Sequence, residues 1–114
     1  MSKLARKGWI TMNVEKIDSQ AAVLHLPATV EDEDAPKLRQ ILQTLYEEGF
    51  QFLQVDFTVT EKLREHCLGI LLLYHKRLTE RGGELTFVNV KSSRLKHVFG
   101  MIDLRRVMTI EEID

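Results

Sequence analysis

Phe52-Leu53-Gln54-Val55-Asp56-Phe57 opens a stretch that runs through a polar turn and a long apolar segment to Arg81-Gly82-Gly83. Its first six residues are short, aromatic and apolar, the composition of a strand buried on both faces. From about Arg64 to Arg81, Leu68, Leu71, Leu72, His75 and Leu78 recur at helical spacing, and Ile70, Leu73 and Tyr74 widen the apolar surface around most of the circumference. A helix apolar nearly all round is a buried one. Gly82 or Gly83 supplies the left-handed residue that stops it. A strand, a loop and a central helix therefore form the unit that the other elements cover.

Upstream, residues 1–8 are basic and unpatterned and read as a loose arm. Trp9 to Ile17 alternates in part, as an edge strand with one wet face does, and Ala21 to Leu26 reads as its hairpin partner across the turn Asp18-Ser19-Gln20. Pro27 closes that strand because proline cannot donate to a ladder. Glu31-Asp32-Glu33-Asp34 then precedes Ala35-Pro36, the acidic and proline-bearing start that complements the free N–H groups of a helix. Leu38, Ile41, Leu42 and Leu45 give this helix an apolar stripe, and Gly49 caps it. Downstream of the central helix, Glu84 to Val90 is a strand. Ser92 or Ser93 caps a short helix with Leu95, Val98, Phe99 and Ile102 inward. Arg106 to Ile110 is a last strand. The order β-β-α-β-α-β-α-β predicts an α/β fold with a mixed, mostly parallel sheet and helices packed on it, a single domain over 9–114.

With 114 residues, 44% apolar and 29% charged, the chain is long enough for a core without staples. The net charge of −1 gives no general attraction to nucleic acid or anionic membranes, and the lone Cys67 fits a reducing cytosol. The longest apolar run, Cys67 to Tyr74, is far short of the roughly 20 residues a spanning helix needs, and the start lacks a signal peptide's apolar core. A cytoplasmic location is expected, with no direct membrane insertion.

This order and its landmarks resemble the STAS domain, the fold of sulfate transporter and anti-sigma factor antagonist proteins. The resemblance spans about Trp9 to Ile110. It rests on Val55-Asp56-Phe57-Thr58, on Leu68-Gly69-Ile70-Leu71-Leu72 running on to Arg81-Gly82-Gly83-Glu84-Leu85, and on Leu95 to Phe99 with Met101 to Leu104. It implies a non-catalytic protein-protein interaction module that binds an anti-sigma factor of serine-kinase type. Family antagonists carry Asp-Ser-Ser-Gly before the central helix and are phosphorylated on the second serine. The four positions here are Arg64, Glu65, His66 and Cys67. No hydroxyl stands there, and His66 occupies the phosphoacceptor-equivalent position, so the usual phosphorylation switch is not expected. The implied partner-binding residues are Glu31, Asp32, Glu33, Asp34, Glu61, Arg64, Glu65 and His66. The alternative is a small accessory subunit of a transporter ATPase or sensory assembly.

Single residues admit sharper readings. Glu65 either imitates the charge of a phosphorylated neighbour or is an ordinary carboxylate at a helix start. His66 is either a phosphoryl acceptor or pH sensor, or a loop residue with no special role. Thr58 and Thr60 are candidate substitute phosphoacceptors. Cys67 is either a thiol activated at a helix start or a buried inert one; its neighbour His66 points about 100° away, so the two are no ready catalytic pair. His25, His66, His75 and His97 lack the paired spacing of metal ligands, and His75 reads as a satisfied core or boundary histidine. No nucleophile with base and oxyanion donors, and no phosphate-cradling loop, is legible, so neither enzymatic activity nor a cofactor is expected.

Overall fold

The computed structural model describes residues 11–114; the expected basic arm over 1–8 and the positions of Trp9 and Ile10 lie outside them. Among the described residues, seven strands appear in chain order: β1 Asn13–Lys16, β2 Ala21–His25, β3 Thr29–Val30, β4 Phe52–Asp56, β5 Lys62–Leu63, β6 Glu84–Val90 and β7 Ile110–Glu112. The helices are α1 Ala35–Glu47, α2 Glu65–Glu80 and α3 Ser93–Met101. The main sheet has the order β1-β2-β4-β6-β7, antiparallel only between β1 and β2. That is the mixed, mostly parallel sheet expected.

The hairpin turn is set by Asp18, whose Oδ1 accepts from the backbone N–H of Gln20 and of Ala21, both at 2.8 Å. Such an Asx turn reverses the chain without help from distant residues. Helix α1 follows a 3-10 turn over Asp32–Asp34, in which the Asp34 carboxylate accepts from Glu31 N–H at 2.8 Å. It ends at Gly49, whose φ of 91° is left-handed. Helix α2 ends the same way at Gly82, φ 89°. Gly83 has a different reason to be glycine. A Cβ there would lie 2.0 Å from the Gln51 carbonyl oxygen, which accepts from Glu84 N–H and starts the β4–β6 ladder.

All three helices pack on one face of the sheet, and their buried residues join those of that face in a single apolar cluster. Leu24, Val55 and Phe87 are contributed by adjacent strands, Leu42 and Leu71 by α1 and α2, and Phe99 by α3. Phe57, Phe87 and Phe99 meet at centroid distances of 4.7 to 5.9 Å, in tilted and edge-on geometry. This one-sided packing corrects the expectation for β4. Leu53 and Val55 are buried, whereas Gln54 is exposed and Phe52 is 46% exposed, because no helix lies over the second face of the sheet among the described residues. It also corrects the reading of α2. Gly69, Leu73 and Lys76 form an outward flank, and Leu73 is 41% exposed.

Two further corrections fall at the C-terminal end. Ser92 caps α3 by accepting from Leu95 N–H at 3.2 Å, as expected, and Leu95 and Phe99 point inward. Val98 and Ile102, however, are 39% and 52% exposed: Val98 lies within α3 but off the face that Leu95 and Phe99 bury, and Ile102 is the cap beyond the end of the helix at Met101. The last strand begins at Ile110 rather than Arg106. Asp103 adopts a left-handed conformation, φ 55°, and starts a 3-10 turn over Leu104–Arg106 that delays it.

Candidate functional site

A second, two-stranded sheet does the positioning. Strand β3 pairs in parallel with β5, Thr29 opposite Lys62 and Val30 opposite Leu63. Flanking bonds extend the pairing: Glu61 N–H donates to Ala28 O at 2.8 Å and Arg64 N–H to Val30 O at 3.0 Å. This carries the acidic loop 31–34, thirty residues away in sequence, against the start of α2. Lys62 Nζ lies 3.5 Å from Glu31 Oε2, and Arg64 Nη2 lies 3.7 Å from Asp32 Oδ2. Exposed pairs of this kind contribute little stability, on the order of 0–1 kcal/mol, so the backbone pairing is the fixing element and the charges follow it.

The surface so formed contains the expected residues. Asp32, Glu33, Glu61, Arg64, Glu65 and His66 are exposed, and Glu31 and Asp34 are half-buried. Cys67 lies beneath them, fully buried, with Sγ 3.3 Å from Glu31 O. Burial pushes its thiol pKa up, and the neighbouring carboxylates of Asp34, Asp32 and Glu31 push it further in the same direction. The thiol therefore stays protonated, the opposite of an activated nucleophile. Thr60 is buried and donates to Pro27 O at 2.9 Å, which removes it as a phosphoacceptor. Thr58 is exposed, with its hydroxyl donating to Asp56 Oδ1 at 2.6 Å. His75 is satisfied on both sides of its ring, accepting at Nδ1 from Leu85 N–H at 3.2 Å and donating from Nε2 to Val107 O at 3.0 Å.

From the mouth marked by Asp32 and His66, a groove with a volume of about 730 Å³ runs between α1 and α2. Ala35, Pro36 and Ile70 give it apolar walls, with Arg39 and Arg77 along it. At its far end Gln43 Oε1 accepts from Tyr74 OH and from Arg77 Nη1, the latter at 3.4 Å, and the Arg77 guanidinium sits 4.9 Å from the Tyr74 ring centroid. Sequence reading missed this groove, since it depends on how two helix faces meet.

It also missed a polar cluster on the uncovered face of the sheet. His25 and Asp56 are register partners of β2 and β4. His25 Nδ1 lies 2.6 Å from Asp56 Oδ2, and its Nε2 lies 3.0 Å from Glu15 Oε1. Asp56 also accepts from Thr58 N–H and from Asn89 Nδ2, at 3.1 and 2.9 Å, with Asn89 held in a left-handed conformation. Bonds to Glu15 first and Asp56 second raise the His25 pKa against some opposing desolvation. For Asp56, desolvation is the largest single influence and acts upward, but the bonds from Thr58, Asn89 and His25 together outweigh it and the pKa is lowered. Both shifts act toward the charged forms, an imidazolium beside carboxylates. Among the described residues, no group of three or more His, Cys, Asp or Glu side chains is arranged so that it could hold a metal ion, and no helix is long and apolar enough to cross a membrane.

No protein-family profile matches the chain. No curated protein matches it either. Solved structures do. The anti-sigma factor antagonist SpoIIAA in its unphosphorylated form superposes with a TM-score of 0.76 at 16% identity, covering 88% of this chain and 87% of that one. The Bacillus cell fate determinant SpoIIAA in its phosphorylated form gives 0.72 at 16% identity, over 88% and 90%. An anti-sigma factor antagonist from Mycobacterium paratuberculosis gives 0.77 at 20% identity, over 89% and 84%. At such identities the likeness is one of fold. The chain has a STAS-like fold, that of the anti-sigma factor antagonists, along nearly its whole length.

Proposed function

We propose that the chain is a non-catalytic regulatory module that docks on a protein partner of the anti-sigma factor, serine-kinase type. Docking uses Glu31 to Asp34 together with Glu61, Arg64, Glu65 and His66, and is not switched by serine phosphorylation. The observation that carries the reading is the pairing of β3 with β5, which joins the acidic loop and the start of α2 into one exposed surface on a fold shared with antagonists. Positions 64 to 67 offer no hydroxyl, and Cys67 is buried as a protonated thiol, so a serine kinase has nothing to modify at the helix start. The docking state is constitutive. The protein belongs in the bacterial cytoplasm and acts on transcription through its partner.

The test is capture from lysate of the native host on immobilised wild type and on a Glu33→Lys/Glu65→Lys variant, with bound proteins identified by mass spectrometry. Both positions are exposed, so the variant keeps its fold. Recovery of a histidine-kinase-like ATPase by wild type alone supports the reading. Recovery of a transporter ATPase or a sensory scaffold instead moves the assignment to an accessory subunit. Recovery that ignores the two charge reversals removes this surface from the interface.

A further inference from the structure

The groove between α1 and α2 has a length, a polarity and a charge that together specify an occupant. On α2 it is lined by His66, Ile70, Leu73, Tyr74 and Arg77, a single stripe spanning three helical turns, about 16 Å at 1.5 Å per residue. Ile70 and the half-open Leu73 keep the middle of that stripe apolar. The charge is one-sided. Arg39 and Arg77 both line the groove, and neither is paired with a carboxylate among the described residues. Arg77 is held in place by neutral partners, Gln43 and the face of Tyr74. The one acidic lining residue, Asp32 at the mouth, is already engaged by Arg64.

A groove three turns long, apolar in its middle and carrying two guanidiniums without carboxylate partners among the described residues, matches one kind of ligand well. It is an amphipathic helix whose apolar stripe repeats at i, i+4 and i+7 and is flanked by Glu or Asp. Arginine favours such a partner because its planar fork engages carboxylates bidentately. We infer that this groove receives an acidic amphipathic helix of a partner protein. The inference rests on the docking reading above only in that Asp32 and His66 belong to both surfaces, which makes the groove a continuation of that interface.

The experiment uses a fluorescein-labelled peptide of about 18 residues, long enough for a marginally stable helix, with a leucine stripe flanked by glutamates. A sibling carries lysine at every glutamate. Binding is read by anisotropy, and the site by backbone amide shifts in the full chain. The glutamate peptide is expected to bind at least about tenfold more tightly than its sibling, a 1.4 kcal/mol preference. Shifts should concentrate at Ile70, Leu73 and Arg39, and an Arg39→Glu/Arg77→Glu variant should reverse the preference. Equal binding of the two peptides, no binding of the acidic one, unchanged preference in the variant, or shifts outside the groove would each overturn the inference. So would displacement of the peptide by millimolar inorganic phosphate with the same shifts, which would make the groove a small-anion site. Glu65 borders a shallower depression that shares Arg39, His66, Ile70 and Leu73 with the groove, whereas Glu33 lines neither, so peptide binding that survives Glu33→Lys alone keeps this inference even if the captured partner contradicts the kinase reading.

Discussion

Three consecutive leucines of α2 test the orientation of the central helix by themselves. Leu71 is fully buried, Leu72 is partly buried against the core, and Leu73 is 41% exposed. Each changed to Ala loses the same atoms from the same helix, so differences in helix propensity cancel across the series. At Leu71 the loss combines the transfer of a closed-in side chain with the cavity left behind, about 3 kcal/mol within the roughly 2–5 typical of core sites. Leu72 forfeits part of its burial, about 1–2 kcal/mol, and Leu73 about 0.5 kcal/mol or less, since much of its surface already meets water. Urea unfolding resolves these differences. With a slope of about 1.5 kcal/mol per molar, Leu71→Ala should lower the midpoint by about 2 M and Leu73→Ala by well under 0.5 M. The order Leu71, Leu72, Leu73 is the content of the prediction. A cost at Leu73 equal to that at Leu71 would mean that α2 is rotated from the orientation described, and the groove along its outer flank would disappear with it.

Two glycines should respond in opposite directions. Gly69→Ala adds a methyl into open space on a helix and should stabilise by about 0.8–1 kcal/mol, whereas Gly83→Ala forces a Cβ onto the Gln51 carbonyl and should cost about 1–3 kcal/mol or more; thermal melts decide both. The His25 bridge gives a pH dependence. Because the folded state raises its pKa, the bridge contributes fully below the unfolded value near 6.5, and that contribution is lost as pH rises through the raised folded value. The stability gap between wild type and His25→Gln should therefore narrow as pH rises above about 6.5, and a gap that stays constant as pH rises would contradict the bridge.

The order of elements was legible because each carries its own period or stop signal, from the stripe of Leu38, Leu42 and Leu45 to the glycine stops at Gly49 and Gly82. Strand β4 shows how such a signal can be misread. Leu53, Val55 and Phe57 alternate with Phe52, Gln54 and Asp56, but the aromatic ring at Phe52 makes the run look apolar on both sides. The hydrogen-bonded union of β3 and β5 was out of reach, since two-residue strands have no period to detect. The proposed docking residues were picked by their family positions, while their adjacency and the His25–Asp56 contact needed the register of parallel strands. Ile102 was placed inward by extending a helical stripe past the point where the chain leaves the helix, and Val98 by drawing that stripe wider than the face that Leu95 and Phe99 bury.

The short pairing of β3 with β5 has a kinetic corollary. Segments that bind partners are often ordered only on contact, and part of the interaction energy is then spent on freezing them. Here residues 28–30 and 61–64 are joined by their own backbone before anything arrives, which holds the acidic loop beside the helix start. A partner docking as proposed would meet a finished surface. Its association rate should follow electrostatic steering and ionic strength rather than a slow folding step, and repeated encounters should find the same geometry each time.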